Sequence, residues 1–299
     1  MVAPDRPSYH AGLMAYGEIA QEHGARPPRV LSPWQAAEWA VPETSDELIE
    51  KLSIAGEFAG VDWALTPPEG RRKRLLIADM DSTIISVECI DELADFVGKK
   101  AQIAAITERA MRGELNFEDA LAERVAMLKG LPVSDLQRCY DQRVRLNPGA
   151  DIVVATMRAH GARCVLASGG FTFFTARVAA AAGFSAHRAN RLLDDGTCLT
   201  GTVALPILGQ QAKLDTLTAE VARLGATLGD ALAVGDGAND LAMITAAGLG
   251  VAYRAKPVVA TKAHARIDHT DLTTLLYFQG YAKAEFAAPS TSDPEHLKT

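Results

Sequence analysis

The stretch LLIADMDSTIISVECIDELA, residues 75–94, opens with four continuously apolar residues and then presents Asp79, Asp81, Ser82 and Thr83 within five positions. A short apolar run bounded by polar residues reads as a buried strand. The alternation it starts recurs along the chain: RLLIA, a long helical stretch, RCVLA, a helix, ALAVG, a helix, then GLGVA. Strands alternating with helices specify a parallel sheet, and strands this uniformly apolar are covered on both faces. The fold class expected is therefore α/β, a doubly wound parallel sheet.

Residues 86–146 interrupt the alternation with helical patterns only, as in Phe117, Leu121, Val125 and Leu128 at steps of three and four. They are expected to form a helical cap inserted into a core made of residues 71–85 and 147–285. The Asp195-Gly196 step between apolar stretches predicts a hairpin turn. Residues 1–70 are broken by prolines at Pro27, Pro28, Pro33, Pro42, Pro67 and Pro68 and are expected to form a small N-terminal α+β appendage. One helix is predicted from Ser45, in SDELIEKLSIAGEFAG, and a strand at VDWAL. The basic run RRKR, Arg71 to Arg74, is read as a solvated strand entrance, and residues 286–299 as a disordered tail.

With 299 residues and 48% hydrophobic content, the chain can bury at least one substantial core. A net charge of −7 and a pI near 5.5 argue against a nucleic-acid surface, which needs a basic stripe. No apolar run is long enough to span a bilayer, and the N-terminus lacks a signal-peptide core, so the expected address is the cytoplasm. Cys89, Cys139, Cys164 and Cys198 lie far apart and are expected to be reduced thiols. Small-molecule partners fit this balance, and a monomer or homodimer is expected.

Three predicted sheet strands end in polar residues that packing does not require: Asp79, Ser168 and Asp236. In open α/β sheets ligands bind outside the carboxyl ends of strands, so the three could converge. Asp79 and Asp81, one residue apart, point to one side of an extended backbone, and two such carboxylates coexist only with a cation or a shared proton. The alternative is that Asp79 and Ser82 cap the following segment, and the residues alone leave both open. GDGANDLAMI sets Asp236, Asn239 and Asp240 around two glycines, an oxygen-rich loop suited to a hard cation; a glycine turn with a capping asparagine is the alternative. ASGGFTFF offers Ser168 and Gly169 ahead of a helix, where backbone N–H groups suit an anion. Lys213 stands early in a predicted helix, where the dipole disfavours a cation.

Taken together, DMDST, ASGGFTFF, Lys213 and GDGANDLAMI come in the order and spacing of the haloacid dehalogenase superfamily, and the chain resembles most nearly its phosphoserine phosphatases. The resemblance covers about residues 74–277. It implies a HAD-like Rossmannoid core with an inserted helical cap, and an N-terminal segment that is at most a degenerate ACT-like one. It implies Asp79 as nucleophile and Asp81 as proton shuttle, with Mg2+ held by Asp79, the Asp81 carbonyl and Asp236. Ser168, Gly169 and Lys213 would grip the phosphoryl group, with Asn239 and Asp240 in support. Glu88 and Arg124 would hold the ammonium and carboxylate of O-phospho-L-serine, with Met111 and Phe117 packing nearby. The activity implied is the last step of serine biosynthesis; the alternative is a phosphatase or phosphotransferase for another small phosphomonoester.

Overall fold

The computed structural model describes residues 1–111 and 114–289. The chain begins with α1 (Arg6–Glu22), which starts where Asp5 accepts a hydrogen bond from Ser8 N at 2.8 Å and Pro7 sits in the first turn. A hairpin follows, β1 (Arg29–Ser32) and β2 (Ala36–Glu38), then α2 (Asp46–Ala59), capped by Ser45 as expected and closed by Gly60 at φ 63°. The strand predicted at VDWAL is absent; Asp62 makes only a bridge to Val2. That segment instead presents the Asp62 side chain to the core. Its buried carboxylate accepts from the backbone N–H groups of Asp268, His269 and Thr270 at 2.8, 3.2 and 2.9 Å.

The RRKR run is a solvated entrance only in part: Arg72 and Arg74 are exposed, but Lys73 is buried and Arg71 half-buried. Arg71 pairs with Glu38 at 2.7 Å, and Arg72 pairs with Glu285 at 2.7 Å while its guanidinium lies over the Tyr281 ring. Lys73 is buried and donates to the carbonyls of Gly70 and Gly229, both at 2.8 Å. Strand entrances are crowded with carbonyls and neighbouring side chains, and long basic side chains can satisfy those while their stems cover apolar surface.

The core opens with β3 (Leu75–Ala78), followed by a turn over Met80–Ile84 and the helices α3 (Cys89–Phe96), α4 (Lys100–Met111), α5 (Phe117–Ala126) and α6 (Val133–Arg143). It resumes with α7 (Ala150–Ala159), β4 (Arg163–Phe171), α8 (Thr172–Ala182) and β5 (Ala186–Asn190). A hairpin of β6 (Leu192–Asp194) and β7 (Leu199–Val203) sits where the Asp195-Gly196 turn was expected. Then come α9 (Gln210–Arg223), β8 (Ala231–Gly235), α10 (Leu241–Ala246), β9 (Leu249–Tyr253), α11 (Pro257–Ala260), β10 (Ala265–Ile267) and α12 (Thr274–Phe278).

Six of these strands form one parallel sheet in the order β10-β9-β8-β3-β4-β5. Because side chains alternate across a strand, Leu76, Cys164 and Val234 pack on one face with α7, α8 and α12, while Leu75, Val165 and Ala233 pack on the other with α9 and α10. From β3 the chain winds first toward β5 and then returns to β8 on the opposite side. This reversal opens a crevice at the carboxyl ends of β3 and β8.

The four helices between β3 and α7 lie over that end, and their apolar residues Leu93, Ile103, Val125 and Leu136 join the same core cluster as Leu76 and Val234. Asn147 ties the return crossing to the departing one, its Nδ2 donating to the carbonyls of Thr83 and Ile85 at 2.8 and 3.1 Å. The β6–β7 hairpin braces the helices through Gly130 N to Leu199 O and Val133 N to Thr197 O, both 2.9 Å. Phe286, where the tail was expected to begin, packs against Tyr277, and Ala287 N donates to Thr156; residues 290–299 lie outside the described residues. Among the described residues no helix is long and apolar enough to cross a membrane, and no disulfide forms among the four cysteines.

Candidate active site

β3 is fully buried between β4 and β8, and its last residue, Ala78, hands the chain to Asp79 at the crevice. The backbone then leaves the strand in a tight turn in which Ser82 takes φ 55°, a left-handed conformation uncommon outside glycine. Neither residue acts as a helix cap. Asp79 makes no side-chain cap bond, and Ser82 Oγ donates to Glu88 Oε1 at 2.6 Å. The turn therefore delivers both aspartates into the crevice, buried but with different partners.

Asp79 Oδ1 lies 2.7 Å from Lys213 Nζ, and the same ammonium is 2.6 Å from Asp240 Oδ1. Lys213 is buried on the first turn of α9, where the helix dipole alone would repel it; the two carboxylates supply the compensation. Burial opposes its charge, but Asp240 and Asp79 outweigh burial and push the ammonium pKa up. Asp81 is held otherwise: its Oδ1 accepts from Cys89 N at 2.9 Å and its Oδ2 from Ser168 Oγ at 3.3 Å. Burial, with the nearby Glu88 charge, raises the Asp81 pKa to about 6. Ser168 in turn accepts from Gly170 N at 2.9 Å.

Ser168, Gly169 and Gly170 belong to the last turn of the ladder rather than to a loop before the helix, since β4 runs to Phe171 and α8 begins at Thr172. A register shift between Ala167 and Phe171 displaces these residues from regular pairing with β5. In the GDGAND loop the capping side chain is Asp240, not Asn239: its Oδ2 accepts from Asp236 N and Gly237 N at 3.2 and 3.0 Å. Asp236 is steadied by Thr83 Oγ1 at 3.1 Å. Asn239 faces Gly169, where its Nδ2 would lie 3.6 Å from an added Cβ.

One carboxylate oxygen from each of Asp79, Asp236 and Asp240 lies within 4.8 Å of the other two. Burial, and then the Asp240 charge, raise the Asp79 carboxyl well above its ordinary range and that of Asp236 to about 7. Such a cluster is costly unless a cation joins it. Both oxygens of Asp240 are already engaged by Lys213 and backbone N–H groups, which leaves Asp79 and Asp236 as carboxylates free to face an ion. The buried Asp79 Oδ1 has no hydrogen bond besides its contact with Lys213. Hard oxygen donors of this kind fit a divalent cation.

The helices above the crevice contribute three of the expected residues. The Phe117 ring rests on two core glycines, since an added Cβ at Gly169 or Gly209 would come within 3.0 Å of it. Arg124 is partly buried at the last turn of α5, its Nε donating to Ala120 O at 3.1 Å; burial lowers its pKa, opposed by Asp91 and Glu88. Glu88 is exposed and also acts on Asp81 and Asp236 through its charge. The Met111 side chain lies outside the described residues. Thr83 was noted in the sequence, inside the DMDST motif, but given no role; Asn147 and Asn190 were not singled out and carry no local signal.

A buried aspartate pair after the central strand, a lysine from a later helix and an acidic loop after the neighbouring strand are the geometry of one hydrolase class. The profile of the haloacid dehalogenase-like hydrolases matches residues 76–245, and the chain belongs to that family. A curated protein of Polaromonas sp., named phosphoserine phosphatase, is 44% identical over 208 residues, which is 68% of this chain and 88% of that protein. The crystal structure of a HAD-family hydrolase from Salmonella enterica serovar Typhi superposes with a TM-score of 0.78 at 33% identity, covering 84% of this chain and 88% of the other. A structure described as a phospho-aspartyl intermediate analogue of phosphoserine phosphatase superposes with a TM-score of 0.64 at 37% identity, covering 69% of this chain and 98% of that one.

Proposed function

We infer that this chain is a magnesium-dependent phosphoserine phosphatase, hydrolysing O-phospho-L-serine to L-serine and phosphate through an aspartyl-phosphate. The observation that carries the reading is the division of labour at the end of β3: Asp79 lies against the Lys213 ammonium, whereas Asp81 is held by Cys89 N and Ser168 Oγ. Asp79, whose ionised form the Lys213 ammonium favours against its burial, attacks phosphorus. Asp81, whose pKa near 6 lets it hold and release a proton, donates to the departing seryl oxygen. It then takes a proton from the water that opens the aspartyl-phosphate, and the enzyme is restored.

Lys213, Ser168 Oγ and the Gly169 N–H hold phosphoryl oxygens, with Asn239 across the crevice. Magnesium would be held by Asp79, the Asp81 carbonyl and Asp236, and when bound it supplies charge neutralisation that lysine alone cannot. Arg124 offers a planar fork for the substrate carboxylate and Glu88 a charge for its ammonium. Phe117 closes the site against water. The partner is a small molecule, and unpaired thiols support a cytoplasmic address.

Phosphate release distinguishes this reading from its competitors. O-phospho-L-serine is expected to exceed phosphoethanolamine, which lacks the carboxylate, by at least ~10²-fold in kcat/KM, because burying an unmatched guanidinium is costly. Asp79→Asn should abolish turnover with the fold intact, and EDTA should do so reversibly. Equal kcat/KM for both substrates would instead assign the site to small phosphomonoesters in general.

A further inference from the structure

Asn190, the last residue of the edge strand β5, is 2% exposed, and no step of the reaction above uses it. Its amide is nonetheless almost saturated. Nδ2 donates to Gly169 O at 2.8 Å and to Leu208 O at 3.2 Å, while Oδ1 accepts from Leu208 N at 2.7 Å. These bonds reach 21 residues back and 18 residues forward, to two segments that do not follow one another in sequence.

Both segments belong to the phosphoryl site. On one side, the bulged end of β4 cannot use regular ladder partners at Ser168–Gly170. The Gly169–Gly170 peptide is planar, so fixing both its ends fixes its orientation. Asn190 takes its carbonyl and Ser168 Oγ takes its N–H, at 2.8 and 2.9 Å, and Ser168 is thereby aimed at Asp81. On the other side, Leu208 leads directly into Gly209, the residue before α9, whose carbonyl accepts from Lys213 N at 3.3 Å. The Phe117 ring rests on Gly169 and Gly209 together. One buried amide therefore sets the spacing between the serine-glycine grip, the lysine helix and the floor that receives the cap.

We propose that Asn190 is a positioning residue of the phosphoryl site, holding the Ser168–Gly170 and Leu208–Lys213 segments at the separation the transferred group requires. The proposal rests on the reading of this crevice as a phosphomonoester site. A residue that merely satisfied a strand end would affect stability and nothing else. A positioning residue affects the affinity for the phosphoryl group in protein that is still folded.

Asn190→Ser and Asn190→Asp, the second isosteric but without the donor, test this in the full chain with magnesium present. In each variant that folds, assayed well below its own unfolding midpoint, kcat/KM for O-phospho-L-serine is expected to fall at least ~10²-fold, the scale of a displacement near 1 Å at the reacting group. The inhibition constant of orthophosphate should rise about tenfold or more. A folded variant with unchanged orthophosphate inhibition and kcat/KM within about threefold of wild type overturns the proposal, as does failure of both variants to fold. Wild-type protein inactive on O-phospho-L-serine would overturn the functional reading instead, and calorimetry with orthophosphate would then still decide the role of Asn190.

Discussion

Thr83 carries its weight through one atom. Its buried hydroxyl donates to Asp236 Oδ1 at 3.1 Å, so it orients a carboxylate that the proposed cation would need. Groups that orient metal ligands are worth roughly 10–100-fold in metal affinity. Thr83→Val, nearly isosteric, should therefore raise the magnesium concentration for half-maximal phosphate release by about that factor; an unchanged midpoint would reduce Thr83 to packing. Asp236 also sets a pH dependence. Its folded pKa, about 7, lies above the ordinary 3.8, so in metal-free protein its protonated form favours folding, and that stability is lost as pH rises through 7. A bound cation replaces the proton. Thermal unfolding should show the gap between magnesium-loaded and EDTA-treated protein widening from pH 5 to pH 8, and a constant gap would count against a cation at Asp236.

The decisive elements are a strand that ends badly and a hairpin that does not pair with the main sheet. β4 loses its register after Ala167, and this bulge turns Ser168 toward Asp81 and leaves Gly170 facing the crevice. A Cβ on Gly170 would lie 2.6 Å from Asp81 Oδ2 and 3.1 Å from Ser168 Oγ. The backbone there is not left-handed, so alanine meets no conformational barrier and the cost falls on the Asp81 carboxylate. Gly170→Ala should thus cut kcat by at least ~10-fold, with a small change in unfolding midpoint, because the proton shuttle proposed for Asp81 tolerates little misplacement. Steady-state kinetics beside thermal unfolding would check it, and a variant with normal kcat would show that Asp81 can yield without loss. The β6–β7 hairpin acts at a distance. Its backbone bonds to residues 130 and 133 brace the helices that bring Phe117 onto Gly169 and Gly209.

At the scale of the whole molecule, the first seventy residues are bolted to the catalytic sheet. Asp62 closes three consecutive backbone N–H groups after β10, and Arg71 and Arg72 pair with Glu38 and Glu285 on either side of the junction. Val2, Leu31 and Ala36 belong to the same apolar cluster as Leu276 and Tyr277. Removing the Asp62 carboxylate would leave buried donors without partners, at about 1–3 kcal/mol for a group so stranded. Asp62→Ala should therefore lower stability by about 3 kcal/mol, seen in urea as a lower midpoint at unchanged slope. A loss under about 0.5 kcal/mol, the usual surface value, would mean the N-terminal unit is only loosely attached.

The sheet and the chemistry of its strand ends were legible because both are written in short range. LLIA, CVLA and LAVG are buried strands by composition alone, and Asp79, Ser168 and Asp236 follow them directly. The Ser45 cap and the Asp195-Gly196 turn were likewise visible, since each depends on a few adjacent residues. By contrast, α1 was hidden because Gly12 and Gly17 interrupt its helical pattern, VDWAL carried strand composition without a partner to pair with, and RRKR found its acceptors only after folding. Asn190 and Asp62 had no local signal at all, because their hydrogen bonds join residues 18 to 208 positions apart. The sequence by itself determined which strands exist and which polar groups end them. The tertiary structure alone decided which distant backbone groups each side chain satisfies, because that depends on register and packing between segments whose separation local pattern does not encode.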